Sequence, residues 1–120
     1  MKRLPVKYIR DKAKAAYTKE ESCYICGTKE SLELHHYAAM TDLFQIWCRK
    51  NKIKILTEED ILDYRDRFIE EHEQQIYGDV VTLCKKHHMQ LHSFFGKTPV
   101  VSSAKAQARW VEKQRGKHVE

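Results

Sequence analysis

Apolar residues recur at two periods along the chain, helical and alternating, and each predicts its own elements. Behind Pro5, which a first helical turn accepts, Val6, Ile9, Ala13 and Ala16 fall at helical spacing. They predict an amphipathic helix over residues 5–18 with Lys7, Arg10, Lys12 and Lys14 around its outer faces. Residues 31–36 alternate through Leu32 and Leu34 and read as the first strand of a hairpin; residues 79–83, with β-branched Val80, Val81 and Thr82, read as the second, with Gly78 turning into it. Between the strands lies a helical insertion of about residues 41–77. Thr41 is placed to cap a short helix carrying Leu43, Phe44, Ile46 and Trp47. After the link KNKIK, Thr57 and Asp60 resemble a capping box for a longer helix reaching to about Ile76, with Ile61, Tyr64, Phe68 and His72 as its stripe. A further helix starts near Lys85 and ends at Gly96 and Pro99. Ser102 or Ser103 then caps a last helix, in which Ala104, Ala108 and Val111 pack together, as do Ala106 and Trp110. The expected class is α+β, with helices around one two-stranded hairpin.

Composition narrows the setting. A chain of 120 residues makes one domain with a modest core, and at 32% charged residues it would gain from a structural metal. No run approaches the eighteen apolar residues of a membrane span. The basic N-terminus lacks the apolar stretch of a secretory signal, so the cytoplasm is the expected compartment. Four cysteines in such a chain point to metal ligation rather than disulfides, with Cys48 left over as a buried or free thiol.

The net charge of +5 is unevenly spread. Residues 1–19 hold seven Lys/Arg against Asp11, and residues 96–117 hold six against Glu112. Residues 58–73 reverse this, with eight Asp/Glu against Arg65 and Arg67. Two basic ends suit a polyanion such as DNA, although either alone also reads as solvated helix surface. Lys7, Arg10 and Lys14 at one end, and Lys105, Arg109, Lys113 and Arg115 at the other, are the candidate phosphate contacts.

Candidate chemistry concentrates in residues 79–92, DVVTLCKKHHMQLH. On a helix, His88 and His92 are four residues apart and share one face. At about 100° per residue, Cys84 and His87 average roughly a quarter turn away. Leu91 falls on the Cys84/His87 side, so that side should face the interior and the other a cleft. CYIC supplies Cys23 and Cys26 at the spacing of a zinc knuckle, and LELHHY supplies His35 and His36. Two sets result: Cys23, Cys26, Cys84 and His87 for a structural zinc, and His35, His36, His88 and His92 for chemistry. Adjacent strand residues point to opposite sides, so His35 and His36 cannot easily chelate one ion together and should divide the labour.

The order CxxC, LxxHH and D-x-x-x-L-C-x-x-H-H-x-x-x-H, spanning about residues 23–92, resembles the HNH endonucleases of the ββα-metal fold. The resemblance implies a metal-dependent DNA endonuclease in which His35, His88 and His92 hold a catalytic divalent ion and His36 is the general base. It puts Asp79 in the place of the family's asparagine, orienting the base through a hydrogen bond. It also implies products with 5′-phosphate and 3′-hydroxyl ends, and an origin in a phage or mobile element, hence a host-cell cytoplasm. Imidazoles favour Mn2+, Ni2+ or Co2+, with Mg2+ less effective. The chain departs from the family pattern at His87, where cysteine is usual, at Asp79, and in the length of its insertion. That insertion could dock on the hairpin, set strand choice or make a homodimer. His72 and His118 receive no catalytic role. The implied layout is a single HNH domain over residues 1–120, with a basic arm (1–22), a knuckle and ββα core (23–95) and a basic C-terminal helix (96–120). The competing reading is a catalytically weak, zinc-stabilised DNA-binding module, which would have no need of the His35/His36 pair.

Overall fold

The computed structural model describes residues 5–119, and side chains as far as His118. Lys2 and Arg3 of the basic arm, and Glu120, lie outside the described residues. In chain order the elements are α1 (Pro5–Lys14), β1 (Leu32–His36), α2 (Met40–Lys50), α3 (Glu58–Glu71), a π-helical turn (Gln74–Gly78), β2 (Val80–Cys84), α4 (Lys85–Phe95), a 3-10 turn (Val101–Ser103) and α5 (Ala104–Val119). The α+β class and the single hairpin are as the sequence predicts. No helix among the described residues is long and apolar enough to cross a membrane.

β1 and β2 pair antiparallel, with His35 opposite Val81 and His36 opposite Val80. The ladder runs straight into α4, because Cys84 is both the last residue of β2 and the residue preceding the helix. Placement of the hairpin histidines against the helical ones follows from that continuity. α4 ends at Gly96, whose φ of 100° lies in the region that disfavours residues with a Cβ.

Local chemistry sets the other boundaries, and several differ from expectation. Thr57 and Asp60 form the full capping box of α3. Thr41 does not cap α2: the helix starts at Met40 after Ala39, and the Thr41 hydroxyl instead accepts a bond from Arg10 Nη2 at 3.2 Å. α1 stops at Lys14, four residues early, in a turn closed by Ala16 N–H to Ala13 O and Tyr17 N–H to Lys14 O. α3 stops at Glu71, short of Ile76, which belongs to the following π turn. In that turn the Gln74 amide lies against Gly78, where a Cβ would collide with it. The Ser103 hydroxyl donates to the Val100 carbonyl at 2.7 Å.

Two apolar clusters form. In the first, Val6, Ile9 and Ala13 of α1 meet Leu43, Phe44 and Trp47 of α2 and Ile61 and Phe68 of α3. The second gathers Cys23 and Ile25, Val81 and Leu83, Leu91 of α4 and Val111 of α5. The insertion thus packs on α1 and supports it. Asp42 of α2 also accepts from the Val101 backbone N–H at 2.7 Å, joining the insertion to the start of the C-terminal segment.

Candidate metal centres

α4 separates its two sets of side chains as its periodicity requires. His87 and Leu91 are buried, while His88 and His92 are half-buried and line a cavity of about 440 Å³. His35 reaches the same place from β1. His35 Nδ1 and His88 Nε2 are 3.1 Å apart, as are His88 Nε2 and His92 Nε2.

The far nitrogen of each ring determines what these three atoms are. His92 Nδ1 lies 2.9 Å from the Gly96 carbonyl and His88 Nδ1 2.8 Å from a Glu33 carboxylate oxygen. His35 Nε2 lies 2.7 Å from Gln107 Oε1. All three partners are acceptors, so each outer nitrogen carries the proton and each inner one presents a lone pair. Three lone pairs, the one on His88 3.1 Å from each of the others and all within 4.8 Å of one another, suit one cation with nitrogen ligands, and the outer acceptors are the supports such ligands characteristically have. Burial pushes His35 down to about 4, with the neighbouring His88 and His92 acting in the same direction and the Gln107 bond against it. It is neutral at physiological pH, as a ligand must be.

His36 borders the cavity from the adjacent position. Its Nε2 donates to the Ile76 carbonyl at 2.8 Å, which leaves Nδ1 unprotonated, and its ring lies 5.0 Å from that of Tyr17. Burial lowers its pKa, and the Arg10 charge lowers it further against the opposing Ile76 bond. Asp79 does not accept the expected hydrogen bond from His36. The Asp79 carboxylate accepts from Gln74 Nε2 at 3.0 Å, its N–H donates to the Gln74 carbonyl and its carbonyl accepts from Tyr37 N–H. Asp79 therefore ties together the loop that presents Ile76, and the Ile76 carbonyl takes the place expected for the carboxylate.

The cysteine set also converges. Cys84 Sγ is 3.2 Å from His87 Nδ1, Cys23 Sγ is 3.9 Å from the same atom, and Cys26 and Cys84 sulfurs are 3.9 Å apart. The four ligand atoms lie within 4.8 Å of one another and could hold one ion, with soft sulfur donors suited to zinc. The cysteines are free thiols. Burial would raise Cys23, but the backbone N–H groups of Cys26, Cys84 and Ile25 outweigh it and bring the thiol below its usual range. Burial raises Cys84, and burial lowers His87 towards its neutral form.

The candidate DNA-contacting residues fall into three groups. Arg10 and Lys14 line the histidine cavity together with Lys97, whereas Lys7 is exposed on α1 outside it. Lys105, Arg109 and Lys113 are exposed on α5. Arg115 packs instead over the Tyr24 ring at 4.5 Å and donates to its hydroxyl at 3.1 Å, while that hydroxyl donates to Glu112. Sequence reasoning missed Glu33, Gln107, Tyr17 and the Ile76 carbonyl. Glu33 could have been found, since it lies two residues before His35 on the same strand face. A lone glutamine on α5, or a main-chain oxygen, carries no signal in the sequence.

Fold and site together define a small α+β protein whose strand-to-helix junction gathers three histidines beside a separate cysteine–histidine quartet. The model of the phage T5 nicking endonuclease group, described as the nicking endonuclease family, matches residues 1–120. The match covers the whole chain, and the chain belongs to that family. No solved structure matches it.

Proposed function

We propose that the chain is a metal-dependent DNA nicking endonuclease of HNH type. The observation that carries this reading is the convergence of His35 Nδ1, His88 Nε2 and His92 Nε2, each with its opposite nitrogen bonded to an acceptor. Beside them is a fourth histidine, His36, whose free nitrogen is defined in the same way.

In this reading His35, His88 and His92 hold the catalytic divalent ion, with Mn2+, Ni2+ or Co2+ expected to serve better than Mg2+. The bound ion would supply charge stabilisation at a phosphate oxygen and at the leaving 3′ oxygen. His36 Nδ1 takes the proton from the attacking water, its Nε2–H fixed on Ile76. Asp79 is a positioning residue that acts through Gln74 and the loop carrying Ile76. Arg10 and Lys14, facing the cavity, bind the phosphate backbone near the cut. Lys7, Lys105, Arg109 and Lys113 are exposed and extend that contact along the duplex. Cys23, Cys26, Cys84 and His87 hold a structural zinc that secures the knuckle against α4. Such an enzyme of a phage would act in the host cytoplasm. A pure binding module accounts for the basic helices and leaves the second, histidine-only cluster without a purpose.

The test is incubation of purified protein with supercoiled plasmid and a panel of divalent ions, with and without chelator. Conversion to the open-circular form, dependent on added ion, is expected. Tight plasmid binding with no cut under any ion would favour the binding module.

A further inference from the structure

Gln107 is fully buried on α5, 72 residues along the chain from His35, and its whole amide is committed to hydrogen bonds. Nε2 donates to the Tyr37 carbonyl at 3.0 Å and to Ser103 Oγ at 2.9 Å. The carbonyl can only accept, and the Ser103 hydroxyl spends its proton on Val100. The amide therefore has one allowed orientation, with Oε1 towards His35. Because Oε1 can only accept, His35 is required to carry its proton on Nε2 and to present Nδ1 to the other two histidines.

The geometry points to Gln107 as a positioning residue of the histidine metal centre, selecting the ligating tautomer of His35 and making α5 an integral part of that centre. This rests on the metal-site reading above. His88 and His92 take their supports from Glu33 and from Gly96 at the end of their own helix, both close to the hairpin-and-helix unit. His35 alone is supported from the C-terminal helix. A role in packing alone would require only a side chain of that volume. Here the amide is anchored at three points, in the one sense that leaves Nδ1 free.

The experiment uses the full chain with its cysteine site loaded with zinc and no other added metal. Mn2+ binding is followed by loss of the free-ion electron paramagnetic resonance signal. Gln107→Leu should weaken Mn2+ binding by about 10- to 100-fold, the usual loss when the outer partner of a ligating histidine is removed. Gln107→Glu keeps the accepting oxygen towards His35 and, as the protonated acid, a donor towards the Tyr37 carbonyl, so it should bind Mn2+ about as tightly as the unaltered protein. Equal affinity in a folded Gln107→Leu protein, or a clear loss in a folded Gln107→Glu protein, overturns the proposal. Should neither variant fold, long-range 1H–15N correlation spectra of the unaltered protein decide. His35 must then appear as the Nε2–H tautomer, and an Nδ1–H tautomer overturns the assignment. An unaltered, folded protein that binds no Mn2+, Ni2+ or Co2+ at this site removes the metal-site reading and this inference with it. Weakened binding in Gln107→Leu alone is the signature of the role proposed for Gln107.

Discussion

His36 and Asp79 show how a residue's neighbours can replace the role its identity suggests. A carboxylate directly before Val80, the residue paired with His36 across the hairpin, would be the obvious partner for that imidazole, yet a main-chain oxygen of the π turn holds the ring instead. The consequence is a revised expectation for Asp79. Asp79→Asn retains an acceptor for Gln74 and should keep nearly full activity, with no movement of the acid limb of the pH–rate profile. Arg10 is the group whose charge bears on His36. Burial and then Arg10 hold its pKa below the ordinary value of 6.5, so the proposed base is neutral at physiological pH and its rate limb falls below that value. Removing the cation in Arg10→Gln makes the imidazolium less unfavourable and raises the pKa. The acid limb should therefore move to higher pH, read from initial nicking rates at fixed ion concentration, and an unmoved limb would separate Arg10 from the base. At this scale the histidines that converge were legible and the acceptors behind them were not. His88 and His92 announce themselves by spacing along one helix. Gln107 is an unremarked residue among alanines and arginines, and its partner lies in a strand far earlier in the chain.

Among the elements, the strand-to-helix junction and the capping box were the most predictable, because both depend on neighbours in sequence. Helix ends set by distant contacts were less so. Thr41 looked like a cap until Arg10 of α1 claimed its hydroxyl, and α3 gives way to a π turn where Gln74 closes on Asp79. The destination of the insertion was not readable either, since its stripe is matched by α1 rather than by the hairpin. α5 does two jobs, presenting cations to solvent and Gln107 to the interior. Changing Lys105, Arg109 and Lys113 together to Ala should weaken duplex binding and reduce its log–log salt slope by up to roughly 0.9 for each phosphate no longer neutralised. Arg115 is left out because it is occupied by Tyr24. An unchanged slope would assign the outer face of α5 to something other than DNA.

For the molecule as a whole, the two clusters divide the requirements of the site. The insertion supports α1, which brings Arg10 and Lys14 to the cavity, and the knuckle supports α4, which brings His88 and His92. The second cluster is small, and the proposed zinc supplies what it lacks. Structural zinc sites in short peptides are worth on the order of 10–16 kcal/mol in apparent binding free energy, comparable with the whole stability of a domain. Cys26→Ala should accordingly cost the protein its zinc and its cooperative melt, followed by elemental analysis and circular dichroism. A zinc-free protein with an unaltered melt would remove the structural ion. The acidic residues of α3 are unsuited to phosphate, and in the proposed function the duplex is left to α1 and α5.

The central claim, that three histidines hold an ion while a fourth acts as base, is tested most directly by comparing His36→Ala and His88→Ala on supercoiled plasmid across a Mn2+ titration. His36→Ala should bind plasmid and Mn2+ like the unaltered protein yet nick about 10²- to 10⁴-fold more slowly at every ion concentration. His88→Ala should also be slow but recover partly as Mn2+ is raised, because its defect is in holding the ion. If His36→Ala nicks as fast as the unaltered protein, with contaminating nuclease excluded by a mock purification, the division between ligands and base is contradicted.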